Sequence, residues 1–131
     1  MTTLHHVAYS IAPNTLETVF EVFGHLGCTM SYREKGARWC LVEQEGVSIK
    51  IQLIETADVP VYDRGVRTNT HIAFISDEPR KVLEIVRTWT HTRGVSFREG
   101  GWSERELWFD LPDVFKNFVV EVMHTSVVEG G

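Results

Sequence analysis

The sequence is poor in cysteine, in basic charge and in long apolar runs, and each shortage excludes something. Of its 131 residues only Cys28 and Cys40 are cysteines. Their spacing makes no CxxC motif, so neither a disulfide framework nor a thiolate metal site is expected, and both are assigned as reduced structural thiols. Thirteen Lys and Arg stand against eighteen Asp and Glu, a formal net charge of −5. That balance provides no overall basic face to displace counterions from nucleic acid or from an anionic membrane. No apolar run approaches the roughly 18 residues of a membrane span. The opening MTTLHH lacks the charged-then-apolar layout of a signal peptide, which makes the cytoplasm the expected location.

What is present is the composition of a globular protein. With 43% hydrophobic and 24% charged residues, four Trp and seven Phe, the chain has material for a core and no low-complexity profile. Its length fits one compact domain or two small half-domains sharing a core.

Hydrophobic periodicity divides the chain into two similar halves. LHHVAYSI alternates as a strand does. Asn14 and Glu17 have capping-box spacing, and Leu16, Val19, Phe20, Phe23 and Leu26 follow at helical intervals up to Gly27. CTMSYREK, ARWCLVEQ and VSIKIQLIE then give three strands, separated by Gly36 and by the Glu45-Gly46 turn. After the polar loop TADVPVYDRGVRTNT, HIAFIS is a strand, and Asp77, Glu78 and Pro79 open a helix with Val82, Ile85, Val86 and Trp89 on one face, ended by Gly94. GVSFRE, SERELWFDL and KNFVVEVMH complete the second half, with Gly100-Gly101 and Pro112-Asp113 as turn signals. Each half is therefore βαβββ. The halves also agree residue by residue: HVAYSI from His6 aligns with HIAFIS from His71, an offset of 65, and Gln52 in KIQLI aligns with Glu121 in VVEVM, an offset of 69.

This repeat bears on why a buried-looking strand starts with two histidines. His5 and His6 fall on opposite faces of a strand, so at most one can face a given site. A lone strand-end histidine is adequately explained by solvent or a hydrogen bond, and a lone Glu121 could face water. Yet Glu121 lies in the apolar run FVVEVM, where an ionised carboxylate is costly unless paired or bound to a cation. If a pseudo-twofold relates the halves, His6 with Gln52 and His71 with Glu121 can converge on one site. Two imidazoles, an amide oxygen and a carboxylate suit Zn²⁺, Ni²⁺, Co²⁺, Mn²⁺ or Fe²⁺.

On the HVA opening, the helix ending at Leu26-Gly27, the central THIAF and the terminal VVEV, the chain resembles the vicinal oxygen chelate superfamily over about residues 3–124. The spacings between the four polar positions are 46, 19 and 50 residues. Members include glyoxalase I, methylmalonyl-CoA epimerase, fosfomycin-resistance and bleomycin-resistance proteins and extradiol dioxygenases. The resemblance implies an α+β fold, with modules 3–54 and 69–124 joined by loop 55–68 into a single domain over 1–131. They would form a curved mixed sheet around a cleft. It also implies a divalent metal on His6, Gln52, His71 and Glu121, with Glu121 acting in proton transfer and His5 facing elsewhere. The expected function is a metal-dependent lyase or isomerase acting on a small carbonyl or carboxylate substrate, with homodimerisation. The rivals are a metal-free protein that sequesters a small ligand and an Fe²⁺ dioxygenase.

Some features depart from the family. GARWCL places Arg38 and Trp39, with no carboxylate, where the epimerase's second base is expected. The segment from Asp110 to Asn117 lacks the usual Asp-Pro-Asp-Gly turn. Arg64 and Arg67 are candidates to receive an acidic substrate, and Trp39, Trp102 and Trp108 are candidates for a pocket wall, core or interface.

Overall fold

The computed structural model describes residues 1–128. The chain divides into two compact units, Met1–Val59 and Pro60–Gly131. Unit 1 contains β1 (His6–Ile11), α1 (Leu16–His25), β2 (Thr29–Tyr32), β3 (Trp39–Glu43) and β4 (Lys50–Glu55). Its sheet runs β1-β4-β3-β2, with β1 and β4 parallel and the other neighbours antiparallel. Strand alternation puts Ile11, Leu53, Cys40 and Val42 on the face towards α1. There they are buried along with Val19, Val22 and Phe23 of the helix.

α1 ends as expected, with Gly27 at φ +88°, a left-handed conformation that a side chain would strain. Its start differs from expectation. The Asn14–Glu17 capping box does not form: Asn14 itself has φ +64°, the N-cap is Thr15, and Glu17 pairs instead with Arg33 at 2.7 Å. The carboxylate of Glu55, at the end of β4, accepts the backbone N–H groups of Thr15 and Leu16 at 3.0 and 3.1 Å, with Arg38 at 3.2 Å. A buried anion thus satisfies the orphan donors at the positive end of the helix, and a contact across 40 residues replaces a local one.

Unit 2 repeats the pattern with β5 (His71–Ser76), α3 (Pro79–Arg93), β6 (Arg98–Ser103), β7 (Glu106–Asp110) and β8 (Val119–His124), preceded by a short α2 (Arg64–Thr68). The sheet order β5-β8-β7-β6, again with parallel first and last strands, is that of unit 1. Paired βαβββ modules are therefore the observed architecture, and both sheets are mixed. Ile72, Phe109, Val120 and Val122 are buried on the side of the sheet that faces α3.

Three expectations are corrected in this unit. The buried stripe of α3 is Pro79, Leu83, Val86 and Thr90, while Ile85 is 45% exposed. Thr90 can occupy a core position because its hydroxyl donates to the Arg87 carbonyl at 2.8 Å, a satisfaction that polarity alone does not reveal. The segment 55–68, expected as loop, contains α2, whose first turn is capped by the Asp63 carboxylate accepting from Val66 N–H at 3.0 Å. Finally, the strand expected over 94–99 runs instead from Arg98 to Ser103, so Gly100-Gly101 lie inside β6 and not in a turn.

Close approach explains these two glycines. Gly100 pairs with Trp108, and a Cβ on Gly100 would lie 2.5 Å from an indole carbon. Gly100→Ala should therefore lower stability by about 1–3 kcal/mol, the usual cost of overpacking. Gly24, in α1 with nothing within 4 Å of an added Cβ, supplies the contrast: Gly24→Ala should gain about 0.5–1 kcal/mol from helix propensity. Urea melts of both variants measure this, and an unchanged midpoint for Gly100→Ala would refute the packing account.

Candidate functional site

The site is built on β5 and β8. In their parallel ladder His71 is opposite Val119 and Ala73 is opposite Glu121. Side chains two apart on a strand share a face, so His71 and Glu121 emerge on the same side from neighbouring strands. His71 Nε2 lies 3.5 Å from Glu121 Oε1. Val120 and Val122 point the other way into the core, which fixes the strand's register and commits Glu121 to this face.

The tautomer of His71 follows from its second contact. Nδ1 is 3.0 Å from the Thr68 carbonyl oxygen. A carbonyl only accepts, so Nδ1 carries the hydrogen and, in the neutral ring, the Nε2 lone pair is left on the Glu121 side. A metal-binding imidazole is commonly held in this way, by a carbonyl at its far nitrogen. The donor pair presented here, a bare imidazole nitrogen and a carboxylate oxygen, fits a divalent cation.

Glu121 is only 6% exposed. Burial pushes its carboxyl above the ordinary carboxylate range; nearby His71 opposes the shift, and Glu106 adds to it. Trp108 sits opposite Glu121 in the β7–β8 ladder, and Glu106, two residues along, occupies the same face with the Ser103 hydroxyl donating to it at 3.0 Å. Trp102 lies against His71 with ring centroids 5.2 Å apart and is 47% exposed. Sequence reasoning did not single out Glu106 or the Thr68 carbonyl. The alternation in ELWFD puts Glu106 and Trp108 on one side, but only the pairing of β7 with β8 shows that this is Glu121's side. A backbone acceptor leaves no sequence signal at all.

In unit 1, His6 is opposite Lys50 and Ala8 is opposite Gln52. His6 and Gln52 thus hold the same relative positions on β1 and β4 as His71 and Glu121 on β5 and β8. Gln52 is half-buried and His6 exposed. His5 does not stand apart from its neighbour as expected: it precedes β1, so strand alternation does not govern it, and its Nδ1 lies 2.9 Å from His6 Nδ1 with the rings edge to face. Among the described residues, no group of three or more His, Cys, Asp and Glu side chains is disposed to hold an ion. The structure brings His71 and Glu121 together and sets His6 and Gln52 at equivalent places in the other unit.

Arg67 does not receive a substrate. It is 6% exposed, and its fork is bound to Asp110 through Nε and Nη2, both at 2.8 Å. Arg64 is exposed. Trp39 packs against Tyr32 with ring centroids 5.6 Å apart, and Trp108 is buried over Gly100.

No family model matches the chain, and neither does any curated protein sequence. Solved structures do match. The fosfomycin resistance protein FosX from Listeria monocytogenes, solved with Mn(II) and sulfate, aligns over 95% of this chain and 90% of its own, with a TM-score of 0.61 and 18% identity. Lactoylglutathione lyase from Agrobacterium tumefaciens aligns over 98% of both chains, with a TM-score of 0.56 and 13% identity. TnmS3, an antibiotic-binding protein from Streptomyces sp. CB03234, aligns over 95% of this chain and 96% of its own, with a TM-score of 0.54 and 13% identity. The fold is that of the glyoxalase/bleomycin-resistance/dioxygenase superfamily, the vicinal oxygen chelate fold.

The buried carboxylate yields a prediction with a definite sign. A carboxyl whose pKa is higher in the folded than in the unfolded chain contributes stability below the ordinary carboxylate range and loses it as pH rises through the raised value. At pH 7, metal-free protein has therefore given up stability at the buried Glu121. Glu121→Gln in chelator should melt higher than wild type at pH 7, with the advantage shrinking as pH falls towards about 4. If the variant melts lower at pH 7, the contacts of the carboxylate outweigh its burial and the account is wrong.

Proposed function

We propose that the chain is a divalent-metal-dependent lyase or isomerase of the glyoxalase type acting on a small carbonyl or carboxylate substrate. The observation that carries this reading is the Thr68–His71–Glu121 arrangement, in which a carbonyl-oriented imidazole offers its bare nitrogen beside a buried carboxylate. In this reading His71 and Glu121 are metal ligands, and His6 and Gln52 are candidate ligands at the equivalent positions of unit 1. FosX, solved with Mn(II), and lactoylglutathione lyase are similar in fold and support the choice of class.

When bound, such an ion supplies Lewis-acid stabilisation of negative charge developing on substrate oxygens. Glu121 provides the base. Its carboxylate is ionised at neutral pH when beside a cation, and burial raises its proton affinity, which suits Oε1 or Oε2 to taking a carbon-bound proton and returning it. His71 cannot take that part while its Nε2 is a ligand and its Nδ1–H is committed to Thr68. The cytoplasm is the proposed location, in keeping with the free, buried thiols of Cys28 and Cys40. Among the described residues, no helix is long and apolar enough to cross a membrane.

One observation favours a second reading. An exposed Trp102 beside His71 provides an aromatic surface for a ligand that is held without being transformed, as a sequestering protein would hold it. The antibiotic-binding TnmS3 shares the fold.

A single experiment separates the two. Protein purified without affinity-tag histidines is dialysed, its metal is quantified, and solvent deuterium exchange into 2-oxoaldehyde hemithioacetals, 2-methyl acyl thioesters and 2-hydroxy ketones is followed by NMR. Wild type should retain metal, His71→Ala should lose most of it, and Glu121→Gln should retain some metal yet lose most exchange. Equal metal in wild type and His71→Ala would remove the metal reading and favour sequestration.

The same reading makes the chain a homodimer, as suits small modules with aromatic-rich strands. Sedimentation equilibrium should find a species of twice the 15.0 kDa chain mass. A single species at the chain mass at high concentration would contradict it.

A further inference from the structure

The geometry points to Arg67 as a positioning residue that sets the tautomer of His71 through the Thr68 carbonyl. All five N–H groups of the Arg67 guanidinium are used. Nε and Nη2 donate to the two carboxylate oxygens of Asp110, Nη1 donates to the carbonyls of Val61 at 3.1 Å and Lys116 at 2.8 Å, and the second hydrogen of Nη2 goes to the Phe115 carbonyl. One side chain thereby ties α2 to the end of β7, to the segment before α2 and to the segment between β7 and β8.

The adjacent residue carries the consequence. α2 has five residues, too few to hold itself in place by its own hydrogen bonds. Its position relative to the sheet is set by what anchors it, and the anchor is the Arg67 fork on Asp110. Thr68, next in the chain, presents the carbonyl that accepts His71 Nδ1–H at 3.0 Å. Two residues further on, the Thr70 carbonyl accepts Val119 N–H at 3.0 Å, which joins the start of β5 to β8, the strand of Glu121. The restraints form a closed circuit within one unit: Glu121 on β8, Asp110 on β7, Arg67, the Thr68 carbonyl, His71, and back to Glu121. Displacing the Thr68 carbonyl by an ångström would break the hydrogen bond that distinguishes the two ring nitrogens and free the neutral imidazole to populate both tautomers.

The inference rests on the proposed metal reading only for its effect on affinity; the tautomer itself is a property of the metal-free chain. The test uses the full chain, [¹⁵N]histidine-labelled and stripped of metal, at about pH 8.5, above the ordinary imidazole range. Long-range ¹H–¹⁵N correlations report which nitrogen of each ring is protonated, and the His71 signals are assigned by their loss in His71→Asn. Wild-type His71 should carry its proton on Nδ1. Arg67→Lys keeps a cation beside Asp110 but loses the fork, and its folded form should show both tautomers, with Zn²⁺ affinity by calorimetry reduced about 2–10-fold, in proportion to the competent fraction. A purely structural Arg67 would lower the melting temperature and leave the tautomer of the folded protein unchanged.

A wild-type ring protonated on Nε2, or a folded Arg67→Lys protein with an unaltered tautomer, overturns the proposal. Should Arg67→Lys not fold, Asp110→Asn keeps one acceptor oxygen for the fork, and the same outcomes apply to it. Tautomer changes as expected, in a protein whose wild type takes up no Zn²⁺, leave the positioning intact and remove the metal reading. An unaltered tautomer in folded Arg67→Lys, with Zn²⁺ affinity equal to that of a wild type that binds it, overturns the positioning and leaves the metal reading standing.

Discussion

The parallel pairing of first and last strands is the constraint on which the rest depends. In each module the chain leaves the first strand, crosses through a helix, folds back through an antiparallel pair and returns to lie beside its start. Residues about fifty apart in sequence thereby become neighbours at a register fixed by burial. Slipping β8 by one residue would turn Glu121 into the core and Val120 and Val122 outwards, so the apolar face of the strand enforces the position of the carboxylate. The β1–β4 ladder imposes the same relation on His6 and Gln52.

Unit 2 buries Arg67, Asp110, Lys116 and Glu121, and among these the Arg67–Asp110 pair and Glu121 differ in how fully they are satisfied. Arg67 and Asp110 are neutralised by each other, and the guanidinium has an acceptor for every N–H. Such a pair has no capacity left for a ligand; its work is to hold three segments together, and removing one partner would strand the other. Glu121 has one histidine at 3.5 Å, a second carboxylate as neighbour and a raised pKa. Its energy would fall with a cation beside it. Buried charge left under-compensated in this way supports the proposed metal site at Glu121, and a fully paired charge of equal burial does not.

Some of this was legible in the chain. The strand and helix periods, the offsets of 65 and 69 residues and the Gly27 and Gly94 stops are local signals, and they specify two βαβββ modules because side-chain period and backbone freedom are local properties. Local signals misled where a distant group competed with them. Glu55 displaced the capping box expected at Asn14, Trp108 beside Gly100 and Leu107 beside Gly101 made close-approach residues of the glycines that looked like a turn, and Asp110 drew Arg67 inwards from a segment that looked like loop.

The sequence by itself determined the module repeat and the residue types at its equivalent positions, and so the donor chemistry open to the protein: imidazole, amide and carboxylate on first and last strands. Tertiary structure decided which nitrogen of His71 is bare, how deeply Glu121 is buried, and that Glu106 shares its face. The physical reason is that orientation and desolvation arise from groups far apart in the chain. The Thr68 carbonyl acts through a backbone atom that every residue possesses, and the burial of Glu121 is a sum over strands that meet only once the sheet has formed.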